Sequence, residues 1–99
     1  MNYSNLKFAL FGNIYQTKKN QYVARILKKL EELGVQIWVE KDFADFIDHN
    51  LDVVLNNVEI FSKDTLPQVD VAISIGGDGT FLGTAALVGA SGIPILGIN

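Results

Sequence analysis

Short apolar runs alternate with helical segments along this chain, and that alternation leaves few architectures open to it. Leu6 to Phe11 is an almost unbroken apolar run that closes on Gly12-Asn13. Buried parallel strands read this way, because both of their faces are covered. From about Lys19 to Leu33 the period becomes helical. Tyr22, Val23, Ile26, Leu27, Leu30 and Leu33 share a stripe, and Lys28, Lys29, Glu31 and Glu32 face water. Gly34 stands where a left-handed cap is wanted. Val35 to Val39 is β-branched and aromatic, a second strand.

Between Asp42 and Phe61 the signal weakens. Phe43, Phe46 and Ile47 suit one short helix with Asp42 near its start. Beyond Asn50 the pattern blurs, Asn56-Asn57 suggests a turn, and an irregular connection is expected. Val69 to Ile75 is again a strand, with Val69, Val71, Ile73 and Ile75 alternating with Asp70, Ala72 and Ser74. It runs into Gly76-Gly77-Asp78-Gly79-Thr80. A short helix carrying Phe81, Leu82, Ala85, Ala86 and Val88 follows, Gly89 and Gly92 break it, and Pro94 to Ile98 forms a last strand. Strands alternating with helices predict an α/β fold: an open parallel sheet with right-handed crossovers and helices on both faces. Ligands gather beyond the carboxyl ends of such strands, where the glycine loop lies.

Ninety-nine residues fit a single α/β nucleotide-binding domain over 1–99. Its 48% apolar content, with ten aromatics, is enough for a packed core. The formal charge of −3 leaves no footprint for duplex nucleic acid or for an anionic membrane. The absence of cysteine excludes disulfides and thiolate metal sites. The amino terminus lacks the layout of a signal peptide, and no apolar run reaches the ~20 residues of a membrane span. Asn2-Tyr3-Ser4 is therefore read as a chance sequon, and a cytoplasmic protein is expected. Because the sequence stops after an apolar strand with no closing helix, a piece of a longer protein is expected.

Three glycines in four positions at a strand-to-helix turn permit unusual dihedrals and a close approach to the main chain. The amides that open the next helix lack internal partners and carry the positive end of its dipole, so the turn suits phosphate. Asp78 is out of place in a pure phosphate cradle, since a carboxylate repels the ligand. It could accept a proton from an attacking hydroxyl, hold that hydroxyl, or help to hold Mg²⁺. The plainer alternative is that Asp78 caps the helix. No G-x-x-x-x-G-K-[ST] is present, so this is not a P-loop. A G-x-G-x-x-G fingerprint starting at Gly77 fails at Leu82, and Gly12 has no second glycine at the required spacing.

Gly76-Gly77-Asp78-Gly79-Thr80 resembles the signature shared by NAD kinases, diacylglycerol kinases and sphingosine kinases, with a related form in phosphofructokinases. Phe81-Leu82 followed by Thr84-Ala85-Ala86 is similar to the NAD kinase version, and the Asn-Glu pair usual in lipid kinases is absent. Pro94-Ile95-Leu96-Gly97-Ile98-Asn99 and Phe8-Ala9-Leu10-Phe11-Gly12-Asn13 also fit that family. The resemblance implies an NAD kinase/phosphofructokinase-like amino-terminal domain and ATP-dependent phosphorylation of the adenosine 2′-hydroxyl of NAD to NADP, with a divalent metal such as Mg²⁺. It implies Asp78 as general base, Asp78 and Gly79 as NAD contacts, Leu82 on the same surface, and Gly77 and Thr80 in the phosphate-facing turn. No residue is assigned as a metal ligand. A homo-oligomer is implied for the intact protein. Gly83 and Leu87 depart from the family, standing where many members carry a basic residue. The family's later Asn-Glu or Asn-Asp motif and its β-rich carboxy-terminal domain are not in this sequence, so the 99 residues alone are expected to be inactive.

A diacylglycerol-type lipid kinase and a non-catalytic nucleotide-binding module are the alternatives. His49 reads as a surface residue at a helix end, and Asp42, Asp45 and Asp48 as a wet helical face. Lys18-Lys19 reads as a solvated helix start that could also reach ATP phosphates. Trp38 and the phenylalanines read as core.

Overall fold

A computed structural model describes residues 3–12, 20–50, 55 and 57–98. In chain order its elements are β1 (Lys7–Gly12), α1 (Asn20–Leu33), β2 (Gln36–Glu40), α2 (Lys41–Asn50), β3 (Val58–Phe61), β4 (Val71–Ile75), α3 (Asp78–Val88) and β5 (Ile95–Ile98). All the strand pairings are parallel, in the order β3-β2-β1-β4-β5. The expected open parallel sheet is present, with one strand more than the sequence reading supplied.

The extra strand, β3, lies within the segment read as irregular. It pairs with β2 from Ile37↔Val58 to Glu40↔Phe61. Only Phe61 of its four residues is buried, and Glu59 and Ile60 are exposed. An edge strand with so little to bury leaves a weak pattern, and its partner is distant in sequence. The suggested turn before it holds at Asn57, whose φ is 58°; Asn56 lies outside the described residues.

Helices α1 and α2 cover one face. Val23, Leu27 and Leu30 of α1 and Phe43, Ala44, Phe46 and Ile47 of α2 pack with Leu10, Ile37, Val39, Ile73 and Ile75 of the sheet. Tyr22, expected on this stripe, is 55% exposed. It lies about 100° around the helix from Val23, at the edge of the buried arc. Gly34 takes φ 75° and its amide donates to the Glu31 carbonyl at 3.0 Å, the left-handed cap read from the sequence.

The other face carries α3 and the segment between β3 and β4. Ala9, Phe11, Phe61, Ala72 and Val88 form its buried cluster, with Trp38, Leu66, Val69 and Ile95 against it. The Phe11 and Phe61 rings meet edge to face, their centroids 5.4 Å apart. Among the described residues no helix is long and apolar enough to cross a membrane.

Candidate functional site

The strand order reverses direction between β1 and β4. After β1 the chain builds outward through β2 and β3, and after β4 it builds the opposite way through β5. Such a reversal, at the carboxyl ends of the strands, is where open α/β sheets take their ligands. Gly12 pairs with Ile75, so Gly12 and Gly76 leave the sheet side by side. Lys18-Lys19 lie outside the described residues.

At the β4 exit Gly76 has φ 150°, a conformation that disfavours any side chain. Its amide donates to the Ile98 carbonyl of β5 at 2.9 Å. Gly77 follows in extended conformation and occupies the cap position of α3, without a side chain to cap it. Asp78 is the first residue of the helix proper. The second half of the motif is thus the first turn of α3 rather than loop, and the cap position suggested for Asp78 belongs to Gly77. The Phe81 amide closes that turn on the Gly77 carbonyl at 3.1 Å. The amides ahead of it have no acceptor within the helix and sit at its positive end.

The residues expected to meet a ligand come together on this turn. Gly77 is half-buried and Gly79 is exposed. Thr80 is half-buried, and its carbonyl accepts a bond from the Thr84 hydroxyl at 3.0 Å. Leu82 is 68% exposed. The fold does not require glycine at position 79, nor at Gly83 in the next turn of the helix. A Cβ added there would meet nothing within 4 Å, and the φ is not positive. Glycine in a helix costs up to about 1 kcal/mol relative to alanine, and neither packing nor dihedral strain demands it here. From Val71 to Asn99, Asp78 is also the one charged residue in the sequence.

Phe81 differs from expectation. Read as core, it is 39% exposed. Its ring lies over Gly97 of β5, where an added Cβ would meet Cδ2 at 2.9 Å. Because α3 is apolar around its whole circumference, periodicity could not say which residues face the sheet.

Two features escaped the sequence reading. Glu40, at the end of β2, is 3% exposed and accepts the Asp42 amide at 2.8 Å and the Phe43 amide at 3.2 Å. It is the cap of α2 in place of the usual Ser, Thr, Asp or Asn. In dinucleotide folds an acidic residue about 20 residues beyond the fingerprint holds a ribose. Here the β2 carboxylate is occupied by its own helix. Ser74 is buried, with no hydrogen-bond partner for its hydroxyl among the described residues.

His49 is exposed at the end of α2, its Nδ1 2.7 Å from the Asp45 carbonyl oxygen. Asp42, Asp45 and Asp48 are exposed as expected, and Asp42 pairs with Lys63 at 3.3 Å. Among the described residues no three His, Cys, Asp or Glu gather closely enough to hold a metal ion.

Residues 8–99 match the ATP-NAD kinase N-terminal domain model. The chain is 46% identical over 94 residues to the NAD kinase of Bacteroides fragilis, covering 95% of this chain and 32% of that protein. Against the NAD kinase of Flavobacterium psychrophilum the identity is 41% over 96 residues, with 95% and 32% covered. Among solved structures, yeast NADH kinase complexed with NADH superposes with a TM-score of 0.69 at 18% identity, covering 93% of this chain and 30% of that one. The chain spans about a third of the length of the curated relatives it matches. The match running from the first strand through the glycine turn to the last strand shows that this chain belongs to the ATP-NAD kinase N-terminal domain family.

Proposed function

We propose that this chain supplies the acceptor-side wall of an NAD kinase, which transfers the γ-phosphoryl group of ATP to the adenosine 2′-hydroxyl of NAD. The observation that carries the reading is the first turn of α3. Its first two residues, Asp78 and an otherwise unneeded Gly79, follow closely on the β4 exit, where the strand order reverses beside β1, and that position supports the reading. The names of the relatives, NAD kinase and NADH kinase, support the same substrate class.

In this reading Asp78 accepts the proton of the 2′-hydroxyl as that oxygen bonds to the γ-phosphorus. The bond from the γ-phosphorus to the β–γ bridging oxygen breaks, and ADP leaves. Positioning and charge stabilisation supply most of the acceleration in such a transfer. The unpaired amides at the head of α3 meet anionic oxygen. Gly77 and Thr80 shape the turn that faces phosphate. Gly79 and Leu82 lie against NAD, the bare glycine admitting it to the backbone. A divalent cation such as Mg²⁺ would need no dedicated protein cage for this role, since Mg²⁺ is usually held by substrate phosphates, water and one or two carboxylates, of which Asp78 could be one. When bound, it neutralises charge on the triphosphate. A cytoplasmic homo-oligomer is the matching assembly, and residues 1–99 alone form no NADP.

The test uses the protein encoded by the complete reading frame, supplied with ATP and either NAD or diacylglycerol. NADP is the expected product. Phosphatidic acid in its place would assign the chain to the lipid kinases. Tight NAD binding with no product from either acceptor would make it a non-catalytic module.

A further inference from the structure

Two contacts fasten the glycine turn to the edge strand β5. The first is the bond from the Gly76 amide to the Ile98 carbonyl, 2.9 Å. The second is the Phe81 ring on Gly97. A Cβ added at Gly97 would stand 2.9 Å from ring Cδ2, 3.3 Å from Cε2 and 3.9 Å from Cγ. Phe81 is also the residue whose amide closes the first turn of α3 on Gly77. One residue therefore rests its ring on the strand and completes the turn with its backbone. We propose that Gly97 and Phe81 are positioning residues: the bare backbone of Gly97 sets the height at which the turn Asp78-Gly79-Thr80 stands over the sheet, and so the approach of acceptor to base.

The functional half of this inference rests on the NAD kinase reading; the geometric half does not. A methyl group at Gly97 cannot enter unless the ring moves. The ring is partly exposed, so it can tilt outward without unfolding the domain, carrying the Phe81 backbone and the first turn with it. Nothing within 4 Å restrains a side chain at Gly79 or Gly83, so that side of α3 gives the displaced helix no backstop among the described residues.

The test compares wild type, Gly97→Ala, Phe81→Val and the double variant in the protein from the complete reading frame. It reads kcat, KM for NAD and for ATP, thermal midpoint, and hydrogen exchange of the amides at residues 79–81. Gly97→Ala is expected to lower kcat about tenfold, as small misplacements of reacting groups do. Exchange at the Phe81 amide should rise by a similar factor of about ten. Phe81→Val in the Gly97→Ala background should recover most of both losses, because valine ends at the γ atoms, where the ring contact was an ordinary 3.9 Å. A lower thermal midpoint with unchanged kcat and exchange would overturn the proposal, and so would a double variant no better than Gly97→Ala. If the wild type made no NADP, the function reading would fall. The exchange arm would still decide: unchanged exchange in Gly97→Ala would overturn the positioning, and a rise reversed by Phe81→Val would support it.

Discussion

Gly12 and Gly76 leave neighbouring strands at the same edge, yet they open onto regions built on different terms. On the β1–β2 side the backbone is bare because the core fills the space. A Cβ on Gly12 would clash with Cε1, Cδ1 and Cζ of the Phe43 ring, and Phe43 is itself fully buried. On the β4–β5 side, Gly79 is bare although open space surrounds it. Helices α1 and α2 turn charged residues to water and apolar ones to the sheet, whereas α3 is apolar on every side and leaves Leu82 and Leu87 exposed. The first region is explained by folding alone. The second keeps features that the fold does not use, as a region shaped for a ligand would.

The largest stability effect should fall on the first region. Gly12→Ala forces a methyl group into the space of the Phe43 ring, and overpacking of this kind costs about 3 kcal/mol. Chemical denaturation would measure it, and a cost below about 1 kcal/mol would show that the ring can yield. Next comes Glu40→Ala, which strips the buried cap from α2 and frees the Asp42 and Phe43 amides. A loss of about 1–2 kcal/mol is expected; Glu40→Gln, which retains a carbonyl acceptor, should lose less.

The smallest stability change carries the sharpest contrast. Gly79→Ala should leave the fold unharmed or stabilise it by up to about 1 kcal/mol, because alanine is the better helix former and meets nothing. The same substitution should weaken NAD binding, measured by calorimetry. Stabilisation with undiminished affinity would break the comparison, since Gly79 would then be bare for no reason.

The first region was also the more legible in sequence. Val23, Leu27 and Leu30 fall on one helical stripe, and Gly34 marks its end, because amphipathic burial and a left-handed cap are local properties. Strand β3 was not legible: Val58-Glu59-Ile60-Phe61 depends on pairing with β2 and buries little else but Phe61. Glu40 was missed because its capping role depends on burial, and glutamate is not a residue expected at that position. In the second region the glycine turn was legible from spacing, but spacing left Asp78 open between helix cap and functional group, and the cap position fell to Gly77. The sheet-facing side of α3 was hidden, since a helix apolar all round gives no phase, and the exposed Phe81 is the consequence.

The central claim, that a carboxylate in the first turn of α3 acts on the acceptor hydroxyl, is tested most directly by Asp78→Asn in the protein from the complete reading frame. The amide keeps the shape and removes the base, so kcat for NADP formation should fall by about a hundredfold or more. The thermal midpoint should hold within a few degrees. Wild-type turnover in a folded Asp78→Asn protein would contradict the account.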